Sequence, residues 1–230
     1  MTSPIPDVHA GMPTEPTDQP TLPAGDVTSW LAATQAALAG AADAAVPCDG
    51  CTACCTSAQF VHIAPDETDT LAHVPAELCF PAPLAPPGHL VLAHDEHGRC
   101  PMLGDSGCSI YPYRPRACRT YDCRVLAAAG LVPDEPATVE IARRVGRWRF
   151  GVGTERDRTT LAAIRAAARW LDQHDHELPD RLRPTTATQR AVLAVEVHAA
   201  FLDRRDGRPT VVTADDADVR RAVDALGAPG

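Results

Sequence analysis

The sequence predicts an α+β protein of two textures: an irregular, loop-rich cysteine module with short hairpins, then a helical C-terminal region. Three observations predict it. All nine cysteines of the 230 residues fall between Cys48 and Cys123. The chain carries 22 prolines, several of them breaking this stretch into short pieces, and proline suits neither helix interiors nor central strands. Beyond Cys123, apolar residues return at helical spacing over three segments. The length suits one domain of ordinary size or one and a half. The expected divisions are a disordered Pro-rich tail over 1–27, an N-terminal helix plus cysteine module over 28–126, and a mainly helical region over 127–230 that packs on the module.

In chain order, residues 1 to 27 are rich in Pro, Thr and Asp and hold too few large apolar side chains to offset their ordering entropy. Thr28 or Ser29 is a candidate cap for a helix running to Val46, with Trp30, Leu31, Thr34 and Leu38 on one side. Phe60–Ala64 alternates as a short strand, and Pro65-Asp66-Glu67 resembles a helix start with acids in its first turn. His89–His94 and Arg99–Leu103 flank the turn Asp95-Glu-His-Gly98, which predicts a hairpin, and a second turn follows at Gly104–Gly107. Pro115 fixes the chain before a short helical turn carrying Arg116, Cys118 and Arg119. Later helices are expected over Thr159–Leu171, with Leu161, Ile164, Ala168 and Leu171 on one face, over Thr188–Phe201, and over Asp215–Leu226.

Charge is unevenly spread beneath a net value of −9. Residues 1–98 hold twelve acids and no base, whereas residues 99–169 hold thirteen arginines against seven acids. Lysine is absent, which excludes Schiff-base chemistry and a P-loop lysine. The N-terminus has neither a basic region nor an apolar run. The stretch Trp30–Val46 is mostly alanine and contains Asp43, too polar to cross a bilayer. A cytoplasmic protein with no membrane partner is therefore expected, and clustered cysteines in that compartment point to metal or catalysis rather than disulfides.

Cys48-x-x-Cys51-x-x-Cys54-Cys55 is the strongest signal. Two intervening residues let a tight turn aim two thiolates at one centre, with metal–sulfur bonds of about 2.3 Å for zinc. Three such positions exceed what a zinc knuckle needs and match a cubane iron–sulfur cluster, whose fourth ligand is a remote Cys-Pro. Cys100-Pro101 has that form. Both metals accept four thiolates, so an iron–sulfur cluster (4Fe–4S favoured) and zinc both remain open. Cys79, Cys108, Cys118 and Cys123 lie downstream. Adjacent Cys54 and Cys55 point in different directions, so eight cysteines suit two four-thiolate sites or one cluster with spare thiols. Cys79, in Glu-Leu-Cys-Phe-Pro, reads equally as a small buried hydrophobe. Arg114 and Arg119 are candidates to offset thiolate charge by hydrogen bonds to sulfur.

The two halves, CDGCTACC (48–55) and RCPMLGDSGCSIYPYRPRACRTYDC (99–123), closely resemble the CxxCxxCC family of zinc- or iron-chelating and iron–sulfur proteins. The resemblance covers about a third of the chain. It implies metal ligation by Cys48, Cys51, Cys54, Cys55, Cys100, Cys108 and Cys118. Cys123 lies five residues after Cys118, a slight departure, and is kept as an eighth ligand. A flagellin lysine methylase group is similar in its cysteine motif, so a redox or protein-modifying role stands beside simple metal binding.

Weaker signals have plainer readings. His94 and His97 lack the helical spacing of a zinc-binding pair, Asp172–Glu177 reads as a polar helix exit, and His62 reads as a satisfied core histidine. Arg143, Arg144, Arg147, Arg149, Arg156 and Arg158 interleave with Trp148 and Phe150, which suits an anionic ligand or single-stranded nucleic acid. The acidic total argues against strong nucleic-acid binding, and pairing of these arginines with the acidic N-terminal half is the expected alternative. The sequence thus predicts a thiolate metal protein acting on an unidentified protein or anionic substrate; the rivals are a zinc-stabilised interaction module and an arginine-rich anion-binding face.

Overall fold

The computed structural model describes residues 20–48, 50–83, 85–203 and 209–226. Helices dominate its C-terminal part, and four small sheets lie among the described residues, one of them wholly within that part, so the α+β class and the helical C-terminal region hold. Two hydrophobic cores organise the chain.

The larger core begins earlier than the sequence suggests. Leu22–Asp26 forms strand β1, which pairs in parallel with the later strand β7, Trp148–Gly151. Residues 22–26 were expected to belong to the disordered tail; the remainder of that tail, 1–19, lies outside the described residues. The strand needs no large side chain, because fully buried Ala24 lets its backbone approach closely. Helix α1, Val27–Leu38, follows at once and is capped by Asp26. Its carboxylate accepts from the Ser29 amide at 2.8 Å, so neither Thr28 nor Ser29 is the cap. The helix also stops eight residues short of Val46, because Gly40 takes a left-handed conformation (φ 71°) and its amide and that of Ala41 return to the carbonyls of Ala37 and Ala36, a Schellman ending. Trp30 and Thr34 face the core as expected, but Leu38 is 38% exposed and Val27 and Ala37 take the remaining buried positions.

Helices α4 (Arg124–Ala129), α5 (Val139–Arg147), α6 (Glu155–His174), α7 (Ala187–Val197) and α8 (Asp216–Leu226) complete this core. The predicted face of α6, Leu161, Ile164, Ala168 and Leu171, is buried in full. Capping boxes start both α6, from Thr154 and Asp157, and α7, from Thr186 and Gln189, which explains why each begins a turn or less before its apolar pattern.

The smaller core gathers Ile63, Val74, Leu92 and Ile110. Three strands frame it, β2 (Val61–Ile63), β3 (Cys79–Pro81) and β4 (Leu90–Leu92), in the order β2–β4–β3, both neighbours antiparallel to β4. The hairpin expected between His89–His94 and Arg99–Leu103 does not form, although its turn does. The Asp95 carboxylate accepts from the amides of His97 and Arg99, and the Cys100 amide is committed to the Cys55 carbonyl at 2.7 Å. Those donors are unavailable to a ladder, so β2 and β3 occupy both edges of β4. A different hairpin forms downstream, β5 (Leu103–Gly104) with β6 (Gly107–Cys108). His62 is exposed rather than a core residue, since in β2 it is the flanking Ile63 that turns inward. The acids at 66–67 precede helix α2, Thr68–His73, without capping it, and serve another purpose. Glu67 is buried; its carboxylate accepts from the Ala64 amide at 2.8 Å and from the Arg116 amide at the start of helix α3, Arg116–Thr120. Asp66 pairs with the Arg116 side chain at 2.6 Å.

Asp157 ties the two ends of the larger core together. It accepts from the hydroxyls of Thr154 (2.7 Å) and Thr28 (2.8 Å) and from both their amides. These bonds hold its carboxyl below the usual carboxylate range. A depressed folded value means that this stabilisation is present above the unfolded carboxyl pKa and is lost as pH falls through the folded one. Asp157→Asn should therefore cost about 1 kcal/mol at neutral pH, and the gap to the parent should narrow at a second, acidic pH below the unfolded carboxyl value. Denaturant midpoints at the two pH values measure this; an equal gap at both would show that shape, not charge, is what Asn lacks.

Candidate metal centre

The cysteines lie along the seam between the two cores. Cys48 and Cys51 close one turn, the Cys51 amide donating to the Cys48 carbonyl at 2.6 Å. Ala53 packs against the larger core, and Cys54–Thr56 form a single 3₁₀ turn. The chain then runs beside 98–100: the Cys100 amide bonds Cys55, and the Ala58 amide bonds the Gly98 carbonyl at 2.8 Å. Glycine is required at 98, because it sits at φ 74° and a Cβ there would stand 3.2 Å from the Ala58 Cβ. Cys100 is linked onward by the Leu103 amide, which donates to its carbonyl at 3.0 Å, and Leu103 faces Cys108 across the β5–β6 hairpin. Cys118 lies in α3, and Cys123 is buried in the larger core at the start of α4.

Eight of the sulfurs are therefore drawn toward one seam, where several raise the cost of charging their neighbours. Burial is the first cause of every raised thiol here, and neighbouring thiolates follow it. Cys55 is pushed up to about 11, with Cys100 and Cys108 the leading charges on it. Cys118 is pushed up to about 12 against Cys100, Cys55 and Cys108. Cys54 rises well above the ordinary thiol range, with Cys123 the foremost charge. Cys123 rises to about 11, and there the Trp148 indole N–H, 3.2 Å from its sulfur, works in the opposite direction. Cys54 and Cys118 keep solvent-accessible area, yet the dense protein on their inner side still desolvates the sulfur. Cys79, the ninth thiol, rises through burial alone, with no thiolate acting on it.

Cys54 thus feels Cys123, Cys55, Cys51 and Cys48, Cys100 of Cys100-Pro101 feels Cys108, and Cys55 is acted on from both sides, by Cys100 and Cys108 and by Cys51 and Cys48. The fit to a metal lies in donor chemistry and in which sulfurs converge; among the described residues, no three Cys, His, Asp or Glu side chains already stand in a metal-holding arrangement.

Guanidinium groups surround the thiols. Arg114 lowers the cost of charging both Cys48 and Cys118 through its charge. Its side chain stacks 3.6 Å over Tyr111 and donates to the Tyr111 carbonyl. Arg119 pairs with Asp43 at 3.0 Å and donates to the Arg114 carbonyl, so it positions Arg114. Arg144 was read as part of an anion-binding stretch, yet it opposes the rise at Cys48, donates to the Pro47 carbonyl at 2.8 Å and stacks on Trp148. No local signal distinguishes it from its neighbours in sequence; only the packing of α5 on the cysteine turn does. Among the described residues, no ion pair joins the other arginines of that stretch to the N-terminal acids. Arg143 and Arg158 use Glu140 and Glu155 within their own helices, and Arg147 and Arg149 use backbone carbonyls.

Cys51→Ser should lower the metal content of the protein, whereas Cys79→Ser should leave it at the parent value. Elemental analysis of the two purified variants checks this, and metal loss from the Cys79 variant would place a ninth thiol at the site.

No curated protein and no solved structure matches the chain. A family model does match residues 47–129, the segment that holds all eight converging thiols. The model is that of the family described as "CxxCxxCC: Putative zinc- or iron-chelating domain", and the match covers about a third of the chain.

Proposed function

We propose that this chain is a cytoplasmic metal-binding protein whose clustered thiolates hold an iron–sulfur cluster, of the 4Fe–4S type, in preference to zinc, in a redox or substrate-modifying role. The observation that carries the reading is the convergence of eight mutually repelling thiols beneath Arg114 and Arg144. Bringing thiolates together raises the cost of ionising each one, and a bound cation offsets that cost. Guanidinium groups around the site favour a centre that keeps net negative charge after metal binding, as a thiolate-ligated cluster does. When bound, a cluster supplies one-electron transfer; zinc held by four thiolates supplies cohesion to a loop-rich module. The cytoplasm suits thiols that must stay reduced until metal arrives, and no helix among the described residues is long and apolar enough to cross a membrane.

Metal and sulfide analysis with a visible spectrum, on protein purified without oxygen, tests this. Iron with acid-labile sulfide and broad absorption near roughly 400 nm is the expected result. Colourless protein with zinc would favour the structural module instead, and protein with neither metal would end the metal-binding reading.

A second observation favours an anionic ligand. A groove of about 750 Å³ is lined by Trp148, Arg149, Phe150, Arg158, Arg165 and Arg169. Among the described residues, Arg165 and Arg169 have neither an ion pair nor a hydrogen bond committing them elsewhere. Four guanidiniums around one concave surface suit a small polyanion. Calorimetry with inorganic triphosphate should show salt-sensitive binding that falls at least tenfold in Arg165→Ala/Arg169→Ala; absence of binding to the parent protein would remove the groove as an anion site.

A further inference from the structure

We propose that the eight thiols divide into two four-thiolate metal centres, Cys48, Cys51, Cys54 and Cys123 forming one and Cys55, Cys100, Cys108 and Cys118 the other. The proposal rests on the metal-binding reading above and states how the ligands are shared out.

Backbone geometry builds the two sets separately. Cys48 and Cys51 belong to one turn. Ala53, immediately before Cys54, and Cys123 both pack in the larger core. In the other set, Cys55 and Cys100 are joined by a direct backbone hydrogen bond. Cys100 and Cys108 are joined through Leu103, and both pack against the smaller core. The dividing line falls within the 3₁₀ turn Cys54–Thr56. That turn has about three residues per revolution, so successive side chains diverge by about 120°. Adjacent thiols on such a turn cannot easily reach one tetrahedral centre, but they can serve two centres on opposite sides of the strand of chain.

Side-chain contacts sort the same way. The Trp148 indole donates to the Cys123 sulfur, and Arg144, stacked on that ring, donates to the carbonyl of Pro47, so Cys123 and the Cys48 turn share one support. Cys118 lies in α3, whose first amide is held by the Glu67 carboxylate; Glu67 also holds the Ala64 amide beside β2, which ties Cys118 to the side of the smaller core.

The test is cobalt(II) titration of the metal-free full-length chain without oxygen, following the thiolate-to-cobalt charge-transfer band. The parent should saturate at two equivalents. Cys48→Ser and Cys118→Ser, both at exposed positions, should each retain one equivalent at the cobalt concentration that just saturates the parent. The pairing Cys48→Ser/Cys51→Ser should still retain one, because both residues serve the same centre, whereas Cys48→Ser/Cys118→Ser should retain none. Circular dichroism of each variant separates lost ligation from lost folding. Saturation of the parent at one equivalent, or abolition of all binding by either single variant, overturns the two-centre division while leaving thiolate metal binding intact. A parent chain that takes up no cobalt overturns the metal-binding reading itself, and the division with it.

Discussion

The buried ion pair between Asp122 and Arg124 is the constraint on which the rest of the arrangement depends. The two side chains are 2% and 8% exposed, so neither charge has water to fall back on. Burying an ion pair is justified energetically only when geometry is good and every remaining donor and acceptor is satisfied. Here that condition is met. Arg124 reaches Asp122 through Nε and Nη2, at 2.8 to 3.1 Å, and spends its other donors on the carbonyls of Ala24 and Ala45. Asp122 also accepts from the Trp30 indole at 2.9 Å and from the Arg124 amide. One pair thereby fastens β1, α1, the approach to the first cysteine and the start of α4. Removal of either partner would leave the other charge buried alone, at about 3–5 kcal/mol. Cys123 sits between the two residues in sequence, so this clamp is what holds a thiol at the edge of the larger core.

The cysteine module lacks such internal support. Its core contains four fully buried apolar side chains, and its strands are two or three residues long. Much of its cohesion comes from polar links between loops, among them Glu67 to α3, Arg119 to Asp43 and Cys55 to Cys100. Gathering eight thiols into this framework works against stability when they ionise, since each raises the cost of its neighbours. Metal binding reverses that sign, turning mutual repulsion into shared attraction to a cation. The module is thus a fold whose least favourable feature, in the absence of metal, is also the feature that metal binding would make most favourable.

What could be read from the sequence was whatever is encoded locally. The i, i+3, i+4 pattern of Leu161, Ile164, Ala168 and Leu171 depends only on helical periodicity, and the buried face of α6 follows it. The two-residue cysteine spacing likewise identifies a turn without knowledge of its partner. The Asp26 cap and the Gly40 stop of α1 are local features outweighed by an alanine-rich pattern, whereas the misread strands depend on long-range competition. β4 looked like one arm of a hairpin until the Cys100 amide, 45 residues from its acceptor Cys55, was committed elsewhere. Residues 22–26 have a poor composition for order, yet a parallel partner more than 120 residues away and the Arg124 contact to Ala24 give them a place.

Trp148 shows how the site and the groove become one mechanical unit. Its indole N–H is spent on the Cys123 sulfur, while its ring packs in the larger core and forms part of the arginine-lined groove. Arg144 stacks on that ring and holds the carbonyl of Pro47, the residue before Cys48. The backbone of Trp148 also opens β7, whose pairing with β1 closes the larger core. A displacement of the first cysteine turn must therefore be felt at Arg144 and, through the shared ring, at the wall of the groove. Hydrogen bonding of the same indole to sulfur adds a polar link of fixed direction, so the two surfaces can move together but not independently. Because a packed core resists continuous deformation, any state of the thiols that shifts Cys123 must be accommodated by the aromatic wall rather than absorbed by loops.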